Sequence, residues 1–147
     1  MDECIFCKII KGEIPSNKVY ENKNFFAFLD IGPVNKGHTL VIPKKHYKNL
    51  LDMPEEELKG YMETIQKVSN AVKKGVNAEG ISINMSNESA AGQVVMHAHF
   101  HLIPRFKDDG LRLWPQGRYK EGEADKIKEV KTWDAKRRRK NNKINKK

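Results

Sequence analysis

Between Gln93 and Pro104, three of the chain's five histidines fall at every second position: His97, His99 and His101. A β-strand sends successive side chains to opposite faces. The three imidazoles therefore share one side of an extended segment, and Met96, Ala98, Phe100 and Leu102 share the other. The apolar side calls for a core to pack on. The histidine side is costly to explain by packing alone, because imidazole is the side chain best suited to nucleophilic, acid-base or metal chemistry near neutral pH. Function is expected on this strand.

The rest of the chain supplies a sheet for it. Ile5, Phe6, Ile9 and Ile10 predict a short helix over 5–11, ended by Gly12. Val19-Tyr20-Glu21 and Phe25 to Leu29 read as two strands of a hairpin across Asn22-Lys23-Asn24. A turn-rich loop from Asp30 to Gly37 precedes a third strand over 38–43. Leu58, Tyr61, Met62, Ile65, Val68 and Val72 follow the helical period, predicting one long helix over 54–75 with a buried stripe. Asp52 and Glu55 have the spacing of a capping box, and Pro54 suits a first turn. Ile81 to Met85 is a fourth strand, and a small-residue loop over 86–92 feeds the histidine strand, which opens at His97. This order predicts an α+β fold: about five antiparallel strands, one long helix and a short N-terminal helix.

At 147 residues the chain fits one main domain. That domain is expected over 1–120, followed by a polar, basic extension over 121–147. Leu111 to Pro115 is expected to dock on the body. A polar helix is expected over 124–140, with Ile127, Val130 and Trp133 on one side. Residues 134–147 hold eight of the Lys and Arg against one acid, so most of the net charge of +9 sits there. The remaining body is close to neutral and is not built as a nucleic-acid binder. The run Lys136-Arg137-Arg138-Arg139-Lys140 is the one candidate for nucleic-acid contact or nuclear targeting. No apolar run approaches the roughly 20 residues that span a bilayer. The first residues lack the order of a secretory signal, so a cytoplasmic address and no membrane partner are expected.

Cys4 and Cys7 form a C-x-x-C. In a reducing compartment that spacing points to a metal or to redox exchange. Two thiolates need two further ligands for a tetrahedral site. The strand histidines, His38 and His46 are the candidates. A trio of His97, His99 and His101 holding a catalytic metal is the rival arrangement. An imidazole can also attack phosphorus directly, and the backbone at Gly92 allows close approach to a phosphate.

Together, Gly92-Gln93-Val94-Val95-Met96-His97-Ala98-His99-Phe100-His101-Leu102-Ile103, the Cys4–Ile10 opening, Ala27-Phe28-Leu29-Asp30-Ile31 and Gly37-His38 through His46 resemble the histidine-triad family of nucleotide hydrolases and transferases, over roughly residues 4–106. Trp114-Pro115-Gln116-Gly117 resembles a segment of its Hint branch. The resemblance implies a homodimer. It also implies that His99 attacks the α-phosphorus of a nucleoside phosphoramidate, adenylate or dinucleoside polyphosphate, releasing a purine nucleoside monophosphate of the AMP or GMP type. His101 would bind the phosphate and His38 would support the hydrogen bonds of the triad. Asp30 would hold the ribose, and Phe6, Ile9, Phe28 and Ile31 would line the base pocket. Gly92, Gln93, Val94 and Asn87 complete the expected nucleotide contacts. Structural zinc would be held by Cys4, Cys7, His46 and His97.

Two departures stand out. Val94 replaces a phosphate-binding serine, and Ser86 stands where an asparagine usually reaches the active site, with Asn87 one place later. These departures raise two other readings: a nucleotide-binding sensor or scaffold with weak turnover and, prompted by the basic tail, a hydrolase of adenylated DNA.

Overall fold

The computed structural model describes residues 3–130. Helix α1 (Ile5–Ile10) is followed by strands β1 (Lys18–Glu21), β2 (Phe25–Leu29) and β3 (Thr39–Pro43). Helix α2 (Glu55–Gly75), then strands β4 (Gly80–Asn84) and β5 (Phe100–Arg105) complete the first compact unit, which ends at Gly110. The five strands form one antiparallel sheet in the order β1-β2-β3-β5-β4. This is the α+β fold expected from the sequence.

Strands β2 and β3 are apolar on both faces because both of their faces are covered. Phe25, Ala27, Val41, Phe100 and Leu102 join Tyr61, Ile65, Val68 and Val72 of α2 in one core. Their neighbours Phe26, Phe28, Leu40 and Ile42 join Phe6 and Ile9 of α1 in a second. Each fully buried large side chain stabilises the fold by about 1.5–3 kcal/mol. Tyr61 is keyed in place by a 2.6 Å hydrogen bond from its hydroxyl to the Val41 carbonyl and by stacking on Phe25.

Several local expectations are corrected. Met62 is 53% exposed, and Thr64 and Ser69 take the buried flank of α2 instead. Asp52 does not cap that helix, because it ends a 3-10 turn over Leu50–Asp52 whose own cap is Asn49. The chain then runs extended through Met53, which buries its side chain in the core, and Pro54 occupies the cap position without a side-chain bond. Glu55, Glu56 and Glu57 favour the positive helix end electrostatically.

The histidine segment is also corrected. Strand β5 begins at Phe100, so His97 and His99 lie in its lead-in, which bends through 95–97, rather than in the sheet. There the Ala98 N–H donates to the Tyr47 carbonyl at 2.7 Å, beyond the end of β3. Ala98 keeps its expected place in the core, but Met96 is partly exposed.

A second compact unit starts at Leu111 and contains α3 (Glu123–Lys128), with an Asp125–Lys128 ion pair one turn apart on it. Leu113 and Trp114 are exposed. The expected helix beyond 130, with Trp133, and the basic run 136–140 lie outside the described residues. Among those described, no helix is long and apolar enough to cross a membrane.

Candidate active site and metal cluster

On the α1 side of the sheet, a cleft of about 390 Å³ is lined by Phe6, Ile9, Phe28 and Leu40 at its base. Ile5, Ile14, Pro15, Ile31, Val94 and Val95 form its apolar walls. Asp30, Gly92, His99 and His101 supply its polar features. The sheet register explains the arrangement. His101 is paired opposite Leu40 of β3 and Asn84 of β4, so it emerges on the same face as Phe28 and Leu40. His99 lies two residues earlier and shares that side, its ring edge-on to Phe6 at 5.2 Å.

Hydrogen bonds assign the protons on the imidazoles. The Nδ1–H of His99 donates to the carbonyl of His97 at 2.7 Å, which leaves the lone pair on Nε2. The N–H of Val34 donates to Nδ1 of His38 at 3.1 Å, so the proton of His38 sits on Nε2. That proton is donated to Nδ1 of His101 at 2.9 Å, which places the His101 proton on Nε2. The chain Val34, His38, His101 thus ends in a neutral N–H donor. Burial, with the adjacent His99 and His38, lowers the pKa of His101 to about 4 and keeps it neutral at pH 7. Burial also lowers His38, partly offset by Asp30, whose Oδ2 lies 3.7 Å from His38 Nε2. Asp30, His38 and His101 are close enough to hold a cation. The proton order gives both facing nitrogens another use, and the His38 atom turned to Asp30 carries hydrogen.

At the other end of the lead-in, Cys4, Cys7, His46 and His97 converge, with all four ligand atoms within 4.8 Å of one another. Such a cluster can coordinate a metal ion. Cys4 caps α1, its thiol accepting from the Cys7 N–H. The Nε2–H of buried His97 donates to the Pro43 carbonyl at 2.8 Å, turning the Nδ1 lone pair toward both thiols. Burial first, then the neighbouring Cys4, pushes the Cys7 thiol up to about 11.

Two expected nucleotide contacts are turned elsewhere. The Oδ1 of Asn87 accepts from the Leu50 N–H at 2.9 Å, so Asn87 does not take the place left by Ser86 in the cleft. Ser86 does lie beside Gly92: its hydroxyl is 3.8 Å from where a Cβ on Gly92 would stand. The side chain of Gln93 is buried in the loop rather than directed into the cleft. The sequence reading missed the Val34 N–H and the Pro43 carbonyl, because backbone groups carry no residue-type signal. Leu40, Ile14 and Pro15 were missed as lining because they read as ordinary core and turn.

The HIT domain family model matches residues 11–108. This chain belongs to the HIT family. Its relatives place this HIT protein in the Hint-like branch. It is 47% identical to a HIT-like protein of Methanocaldococcus jannaschii, over 87% of this chain and 98% of the relative. It is 46% identical to an adenosine 5'-monophosphoramidase of Saccharomyces cerevisiae, over 76% and 70% respectively. The crystal structure of a HIT family member from Bacillus subtilis superposes with a TM-score of 0.80 at 42% identity, covering 86% of this chain and 92% of that one. A histidine triad nucleotide-binding protein from Candida albicans gives 0.79 at 37%, covering 92% and 99%.

Proposed function

We propose that this HIT protein hydrolyses or transfers a purine nucleoside monophosphoryl group through a nucleotide carried on His99. The observation that carries the reading is the Nδ1–H bond from His99 to the His97 carbonyl, which leaves a nucleophilic Nε2 on a residue of the cleft. In the first step Nε2 bonds to the α-phosphorus as the bond to the leaving group breaks. An amine leaving group takes one proton from solvent as it departs, and the water that attacks in the second step returns one. Water then cleaves the N–P bond, freeing the nucleoside monophosphate and restoring the imidazole. The neutral Nε2–H of His101 donates to a phosphoryl oxygen as charge builds, and it needs no proton from solvent to do so. Phe6, Ile9, Phe28 and Ile31 form an apolar slot for the base, with Asp30 at its edge for the ribose hydroxyls.

Among the described residues, the cleft lining includes no lysine or arginine, and Asp30 is its one carboxylate. A polyphosphate leaving group would find no counter-charge there. The geometry therefore favours the amine leaving group of a phosphoramidate over a polyphosphate, in keeping with the adenosine 5'-monophosphoramidases among the relatives. Incubation with an adenosine phosphoramidate should leave AMP covalently on the wild type and not on His99→Ala. Equal labelling of the two proteins would overturn the reading. Tight AMP binding with turnover near background would instead support the sensor reading, which the exposed Val94 and the averted Asn87 favour.

The metal we assign to the Cys4, Cys7, His46 and His97 cluster is structural zinc. A tetrahedron with zinc's bond lengths has N–N edges of about 3.3 Å and S–N edges of about 3.6 Å. The observed separations run from 3.2 Å between the two histidine nitrogens to 3.3–3.6 Å between sulfur and nitrogen. Zinc would tie α1, which carries Phe6 and Ile9 of the cleft, to the sheet. Metal analysis of wild type and Cys7→Ala tests this. A homodimer is supported by β4, an edge strand, and by the groove of about 650 Å³ between it and α2, where Met62 and Ile83 are exposed. Light scattering on wild type and Ile83→Lys reads the association.

A further inference from the structure

Glu88 adopts φ 74° and ψ 157°, a region that residues with a side chain rarely enter. It opens the 88–93 loop, which reaches the cleft through Gly92, itself at φ 98°. Strain of this kind persists only where the surroundings hold it: the Glu88 carbonyl accepts from the N–H groups of Ala91 and Gln93, and its own N–H is held by one buried side chain. The Oε1 of Gln93 accepts from the Glu88 N–H at 2.9 Å and from Asn49 Nδ2 at 3.2 Å. Its Nε2 donates to the carbonyls of Lys48 at 2.6 Å and Val95 at 3.0 Å. All four bonds are made inside the fold, and Gln93 is only 4% exposed. The Glu88 carboxylate adds a weaker clamp from outside, at 2.8 Å from the Lys48 ammonium and 3.3 Å from Asn49 Nδ2.

We propose that Gln93 is a positioning residue: its amide holds Glu88 in a strained conformation and so sets the Gly92–Val94 backbone on the phosphate side of the cleft. This rests on the nucleotidyl-transfer reading for its effect on rate, but not for its effect on binding. Loosening the loop should weaken contacts to phosphate and spare the base and ribose slot on α1 and β2.

The test compares wild type, Gln93→Leu, Glu88→Gly, Glu88→Ala and the double variant Gln93→Leu/Glu88→Gly in the full chain. Adenosine and AMP affinities are measured by titration, alongside kcat and KM with an adenosine phosphoramidate. Gln93→Leu should lower kcat at least tenfold and weaken AMP several-fold, with adenosine affinity within twofold of wild type. Glycine accepts the Glu88 backbone without strain, so the double variant should recover several-fold of the loss. Glu88→Gly should likewise outperform Glu88→Ala, a comparison that stands if Gln93→Leu does not fold. Equal losses for adenosine and AMP, a double variant no better than Gln93→Leu, or Glu88→Ala matching Glu88→Gly would each overturn the assignment. A wild type without turnover refutes the enzymatic reading alone, and the AMP-to-adenosine ratio still decides the role of Gln93.

Discussion

Lowering the pH from 7 to 5 should destabilise this protein, and His101 should be a main reason. Burial, and then His99 and His38, hold its folded pKa at about 4, against an ordinary value near 6.5. A base with a lowered folded pKa stays neutral in the native state while the unfolded chain takes up a proton. Stability from this group is therefore complete above about pH 6.5 and declines as the pH falls toward 4. Over the interval from pH 7 to 5 the linkage amounts to about 2 kcal/mol, and solvent screening at a half-buried site lowers this to roughly 1–2 kcal/mol. The assay is urea unfolding of the metal-loaded protein at pH 7, 6 and 5, beside His101→Gln, which keeps polarity and cannot titrate. The wild-type midpoint should fall more steeply with acid than that of the variant. Parallel pH profiles would show that His101 is not held neutral by its surroundings, and the hydrogen-bond chain from Val34 through His38 would then have to be redrawn.

Replacing Gly37 with alanine should cost roughly 2–4 kcal/mol, because φ is 88° there and the new Cβ would stand 2.8 Å from Val76 Cγ1. Thermal melting checks this, and activity should fall too, since His38 is the next residue; a melting point within a degree of wild type would refute it. Tyr61→Phe should lower stability by about 1 kcal/mol through loss of the 2.6 Å bond to Val41 while the Phe25 stacking stays, read as a shift in urea midpoint with turnover unchanged. Removing the metal with a strong chelator should loosen α1 and weaken nucleotide binding through Phe6 and Ile9. Hydrogen exchange over residues 5–10 measures it, and unchanged protection would count against a structural cation.

The pattern-borne features were legible in advance. Strand residues 25–29 and 39–43 and the period of 58–72 place a sheet and a long helix without any tertiary information, since apolar spacing follows directly from backbone geometry. Features that depend on competition between neighbours were not. The cap expected at Asp52 yielded to the burial of Met53, and Met62 lost its place on the buried flank to Thr64. The histidine strand starts only at Phe100, opposite Val41, because upstream of it the Ala98 N–H pairs with the Tyr47 carbonyl beyond β3 instead of continuing the ladder.

Alternation alone put His97, His99 and His101 on one side of an extended segment and gathered the residue types that phosphoryl and metal chemistry need. It carried no information on which nitrogen of each ring holds the proton. That was decided by backbone groups, Val34 one turn-rich loop before His38 and Pro43 far from His97 in sequence, because a carbonyl or N–H looks the same in every residue until the fold aims it. The fold likewise turned Asn87 to Leu50 and buried the Gln93 amide in its own loop. Composition set the chemistry available to the chain. Only the tertiary packing assigned each group its partner, since a hydrogen bond depends on direction and distance that a linear sequence does not specify.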